Sequence, residues 1–117
     1  MLTKEKMAAM IDAAAAKIKE NQDLLSQLDS ATGDGDHGIA IMKTITAAKN
    51  ASTADGSFKD VLQGIGWAVM SEGDGSSGAL LGSFFMGMSE VVDVEELSGV
   101  MTLAMFQSGL DGIQQHT

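Results

Sequence analysis

The 117 residues hold seven Lys and Arg against sixteen Asp and Glu, a formal charge of −9 at pH 7, with no cysteine and no proline. That balance argues against a nucleic-acid or anionic-membrane surface, and the missing thiols exclude a disulfide framework or a zinc ribbon. A single domain over 1–117 with a modest core is expected. The chain shows neither an apolar signal core nor a long apolar run, so a soluble, cytoplasmic protein without a membrane partner is expected.

In chain order, Thr3 is placed to cap a first helix, and Met7, Met10, Ile11, Ala14 and Ile18 form one apolar stripe. Leu24, Leu25 and Leu28 extend it past Asn21, almost to a glycine-rich acidic stretch. Ile39, Ile41, Met42, Ile45 and Ala48 mark a second helix ending near Asn50, and the small, polar residues 51–56 read as a loop. Ser57-Phe58-Lys59-Asp60 resembles a capping box with Asp in place of Glu. Behind it, Phe58, Val61, Leu62, Ile65 and Val69 give a third amphipathic helix, with Trp67 elsewhere on its circumference and read as a packing residue. A second glycine-rich segment, Glu72 to Gly78, precedes Leu81, Phe84, Phe85, Met88, Val91 and Val92 at helical spacing. Asp93-Val94-Glu95-Glu96 is another cap signature, opening a fifth helix through Leu97, Val100, Met101, Ala104, Met105 and Ile113. His116 reads as a solvated side chain near the end. No alternating strand pattern survives, so the expected fold is all-α, with five amphipathic helices.

The chemistry gathers in Asp29-Ser30-Ala31-Thr32-Gly33-Asp34-Gly35-Asp36-His37-Gly38. On one helix Asp29 and Asp34 would diverge by about 140°. In a looped backbone Asp34 and Asp36 point to one side, and Gly33 and Gly35 permit turns that bring Asp29 to them. Three carboxylates so gathered repel by roughly 1 kcal/mol per pair at about 4 Å in water, and more where water is scarce. Such a set calls for a cation, and its all-oxygen character suits Mg²⁺, Ca²⁺ or Mn²⁺. The second loop, Gly73-Asp74-Gly75-Ser76-Ser77-Gly78, also runs into a helix start, where unpaired N–H groups and serine hydroxyls suit phosphate. Plain capping by Ser76 and Ser77, and a solvated turn at the acidic loop, are the alternatives. An EF-hand from Asp34 fails, because Ile39 and Ile45 stand where glycine and an acid belong; a Walker A loop fails for want of lysine. What remains is a carboxylate-held metal beside helix N-termini, suited to a metal-bridged polyphosphate.

The segment Leu28 to Gly38, together with Gly75-Ser76-Ser77-Gly78-Ala79-Leu80-Leu81-Gly82-Ser83-Phe84-Phe85, resembles the two signature loops of the nucleotide-binding L subunit of dihydroxyacetone (glycerone) kinase. The resemblance implies a barrel of antiparallel helices with ADP or ATP at its mouth. It places Asp29, Asp34 and Asp36 on two Mg²⁺ ions, and His37, Gly38, Ile39, Ala40, Ser76 and Ser77 at the nucleotide. His37 would be a phosphate-side hydrogen-bond donor, since dihydroxyacetone is held by a separate K subunit. The phosphotransferase-system type, in which an M subunit rephosphorylates bound ADP, is the form this chain is similar to. Ala40 and Asp74 stand where that family usually has Asn and Gly. The chain resembles the N-terminal half of such a subunit, and half a barrel leaves apolar surface, so self-association is expected. The rival expectation is a non-catalytic, self-associating helical module that binds a divalent cation.

Overall fold

The computed structural model describes residues 1–30, 37–73 and 75–115, and at 29, 30 and 37 the helical backbone alone. Among these residues it is all-α: α1 (Lys4–Glu20), α2 (Gln22–Ser30), α3 (His37–Ala51), α4 (Phe58–Glu72), α5 (Gly75–Ser89) and α6 (Gly99–Gln115). Two short strands, β1 (Leu2–Thr3) and β2 (Glu96–Leu97), pair antiparallel with Leu2 opposite Leu97. Among the described residues no helix is long and apolar enough to cross a membrane.

Six helices replace the expected five because the first one breaks at Asn21. Its side-chain amide donates to the Lys17 carbonyl at 2.9 Å and its own N–H to Ile18 at 3.1 Å, closing α1. α2 begins at once, with the Leu25 N–H on the Asn21 carbonyl at 2.9 Å. Thr3 caps α1 as expected, accepting the Lys6 N–H at 3.2 Å. The Ser57–Asp60 capping box is present with both of its reciprocal bonds. Ahead of it Gly56 takes φ +123°, a left-handed turn that a side chain would strain.

The helices pack as neighbours in a row, with α3 between α1 and α4, and α5 between α4 and α6. α4 is the keel. Phe58, Leu62, Ile65 and Val69 are fully buried and Val61 nearly so, each contributing about 1.5–3 kcal/mol of apolar burial. Met88, Val92 and Met105 close the core from α5, the turn after it and α6. The first stripe holds at Met7 and Ile11, which are buried, and at Ile18, which is half-buried against the core; Ala15 joins them, while Met10 and Ala14 face solvent. Trp67 is 64% exposed, so it is not a packing residue. Ile39, Val91 and Val100, also expected inside, are exposed.

Asp93–Glu96 does not open a helix. α6 starts at Gly99 with the Ser98 hydroxyl accepting the Met101 N–H at 3.2 Å, and the acidic run forms β2 and the turn before it. The expectations for Ala31 to Asp36, Asp74 and His116 lie outside the described residues.

Candidate functional site

Two helix starts lie side by side at one end of the bundle. α4 returns along α3 and α5 returns along α4, so α3 and α5 point the same way. Gly73, which closes α4, is where they meet. A β-carbon there would stand 2.5 Å from the Val69 carbonyl oxygen, 3.0 Å from the Thr44 hydroxyl and 3.1 Å from the Gly78 Cα. Only hydrogen fits at that position, and the first turn of α5 thereby rests against α3. Thr44 is fully buried in the joint and donates its hydroxyl to the Ala40 carbonyl at 3.0 Å. The Gly73 N–H returns to Val69 at 2.9 Å, finishing α4 within one residue of the next helix.

Gly38 makes the second close approach. A β-carbon on it would overlap the Gln22 carbonyl and the Ser26 hydroxyl, so the first two turns of α2 press on the first turn of α3. Asp29 belongs to the last turn of α2 and His37 is the first residue of α3. The helix backbones therefore fix the two ends of the acidic loop, while Asp34 and Asp36 lie outside the described residues.

Each start offers first-turn N–H groups without intrahelical acceptors and the positive end of a helix dipole. Neither α3 nor α5 carries an acidic residue in its first turn. Residues 75–78, expected as a loop, form that first turn of α5 instead: Ser76 is exposed, Ser77 half-buried and Gly78 buried. The two serines sit past the cap position, so capping is not their role. Ile39 is exposed, Ala40 half-buried and Gly38 buried.

An apolar groove of about 400 Å³ opens beside the two starts, lined by Ile41 of α3, Ser77, Leu80, Leu81 and Phe84 of α5, and Ile113 of α6. A cleft of about 350 Å³ lies on the other flank of α3, with Ile39, Met42 and Ala47 among its lining residues beside Gln22, Lys43 and Glu72. The groove and the Gly73–Thr44–Gly78 joint are the features that sequence reasoning missed. Adjacent Leu80 and Leu81, only one of which a single core-facing stripe can use, were the available signal for the groove.

Among the described residues no three Asp, Glu or His side chains converge on a common point. The donor set that remains, Asp29, Asp34 and Asp36, consists of hard carboxylate oxygens only. It begins on α2 and ends on the residue before α3. Those donors suit Mg²⁺ by their chemistry.

A family model described as the DAK2 domain matches residues 31–117. The chain is 37% identical over 101 residues to the PEP-dependent dihydroxyacetone kinase 1, ADP-binding subunit DhaL, of Listeria innocua, covering 85% of this chain and 51% of that one. It is 34% identical to the PTS-dependent dihydroxyacetone kinase, ADP-binding subunit DhaL, of Lactococcus lactis, covering 85% and 50%. With the PEP-dependent counterpart of Escherichia coli the identity is 29% over 92 residues, covering 76% and 44%. The chain spans about half the length of the curated relatives it matches.

Proposed function

The chain belongs to the DAK2 domain family, and on that premise we propose that it is the Mg²⁺- and ADP/ATP-binding part of a dihydroxyacetone kinase of the phosphotransferase-system type. In this reading residues 1–117 act as one cytoplasmic nucleotide-binding domain. Asp29, Asp34 and Asp36 hold Mg²⁺, which supplies countercharge to the phosphates. The first-turn N–H groups of α3 and α5, with His37, Ser76 and Ser77, orient the phosphate chain. The phosphoryl group passes from the nucleotide to dihydroxyacetone held on a K subunit, and an M subunit restores it.

The observation that carries this reading is the Gly73–Thr44–Gly78 joint, which brings two helix N-termini to one end of the bundle, one of them directly following Asp36 in sequence. A chain with seven cations against sixteen acids has little else to offer a polyphosphate than metal and oriented N–H groups. The relatives' description as ADP-binding subunits supports the choice of nucleotide. Calorimetric titration of ADP in the presence of Mg²⁺ tests it: saturable heat is expected, lost in Asp34→Asn and in Asp36→Asn. No heat with the unaltered chain, or normal binding by either variant, overturns the assignment.

A further inference from the structure

We propose that the outer face of α6 is a contact between two copies of this chain, related by a two-fold axis through Gln107; this does not depend on the nucleotide reading. Val100, Leu103, Gln107, Leu110 and Gln114 succeed one another at steps of three, four, three and four residues, the spacing of a coiled-coil seam. All five are exposed, Val100 at 81%, Leu103 at 71% and Leu110 at 51%. The opposite side of α6 is already occupied, with Met105 fully buried and Gly109 and Gly112 pressed on α5.

The occupant follows from the symmetry of the row. Read in either direction from Gln107, the next seam residue is leucine. An antiparallel partner helix centred there sets Leu103 against the partner subunit's Leu110 and Gln107 against the partner subunit's Gln107. Such self-complementarity is what a two-fold interface requires. A carboxamide, being both donor and acceptor, can face its own copy where a charge cannot.

Charge is compatible with the same face. Two chains at −9 repel, and a contact must form where acids are sparse. Of seven basic and sixteen acidic residues, α5 and α6 together hold one, Asp111. Among the packed pairs only α3 with α5, which hold Lys43 and Lys49 and no acid, carry fewer acidic residues. The Asp111 carboxylate accepts the Gln107 amide at 3.1 Å. In the antiparallel arrangement the two Asp111 residues are eight positions apart, about 12 Å along the axis, farther than the Debye length of about 8 Å at physiological ionic strength.

Sedimentation equilibrium at roughly 100 µM should return twice the chain mass, and Leu103→Glu should return the monomer mass with an unchanged helical circular dichroism spectrum. The chain has no cysteine, so single-cysteine variants report the geometry directly. Gln107→Cys should form a disulfide-linked dimer about ten-fold faster than Met10→Cys on the exposed side of α1, because the contact raises the local thiol concentration. A monomeric unaltered chain, a dimer that survives Leu103→Glu, or equal cross-linking from positions 107 and 10 overturns the proposal. ADP binding by Leu103→Glu, expected at the unaltered level, is read separately and bears only on the nucleotide site.

Discussion

The carboxylate of Glu95 accepts the backbone N–H of Phe58 through both oxygens, at 3.0 and 3.2 Å, across 37 residues of sequence. The Ser57–Asp60 box satisfies the N–H groups of Ser57 and Asp60, leaving Phe58 as an orphan donor of the first turn. Glu95 fills that gap and places a negative charge at the positive end of the keel helix. Beside it the Lys59 ammonium donates to the Ser89 carbonyl at 2.6 Å, so both sides of the α5–α6 connection are tied to α4. Glu95→Ala should lower stability by about 1–2 kcal/mol, read as a fall of several degrees in the calorimetric melting temperature. Glu95→Gln keeps an acceptor and should lose less.

Two glycines of similar appearance should respond with opposite sign. Gly73→Ala forces a methyl group against the Val69 carbonyl and into the joint, and should cost about 1–3 kcal/mol while weakening ADP binding. Gly64→Ala adds a methyl group on the exposed side of α4, where nothing lies within 4 Å, and should raise stability by about 0.5–1 kcal/mol. Urea denaturation of the two variants against the unaltered chain decides both.

Trp67, as the one tryptophan, reports its surroundings without interference. At 64% exposure its fluorescence should be quenched freely by acrylamide in the folded state. Trp67→Ala should change stability by no more than about 0.5 kcal/mol, against about 3–5 kcal/mol for a buried tryptophan.

Metal removal should uncouple the nucleotide from the fold. With Mg²⁺ present, ADP at ten times its dissociation constant should stabilise the chain by about 1.4 kcal/mol through mass action, visible as a rise in melting temperature. EDTA should erase that rise and leave the melting of the nucleotide-free chain unchanged.

Much of the fold was legible before any coordinates, and the reasons differ by element. α4 declared itself twice over, through an unbroken apolar stripe from Phe58 to Val69 and a capping box whose two partners lie three residues apart. α1 was legible as a helix and its inward side through Met7, Ile11 and Ile18, but Ala13 to Ala16 are chemically identical, so the choice of Ala15 over Ala14 was not. Asp93–Glu96 has the composition of a cap, yet composition does not name the helix being capped, and Glu95 serves one that starts 37 residues earlier. The site divides in the same way. Its acids and serines raise the expectation of hard-metal and phosphate chemistry in one dimension. The Thr44–Gly73 contact that sets two helix starts together exists only once α3 and α4 have packed.

The pairing of Leu2 with Leu97 has a consequence for synthesis. Leu2 and Thr3 cannot complete their strand hydrogen bonds until Glu96 and Leu97 have cleared the ribosomal exit tunnel. α1 can pack on α3 before that, so it is the two-residue β1–β2 pair that closes late. A bulky tag fused directly ahead of Met1 would crowd that late closure, so a tag set off by a flexible spacer suits this chain better.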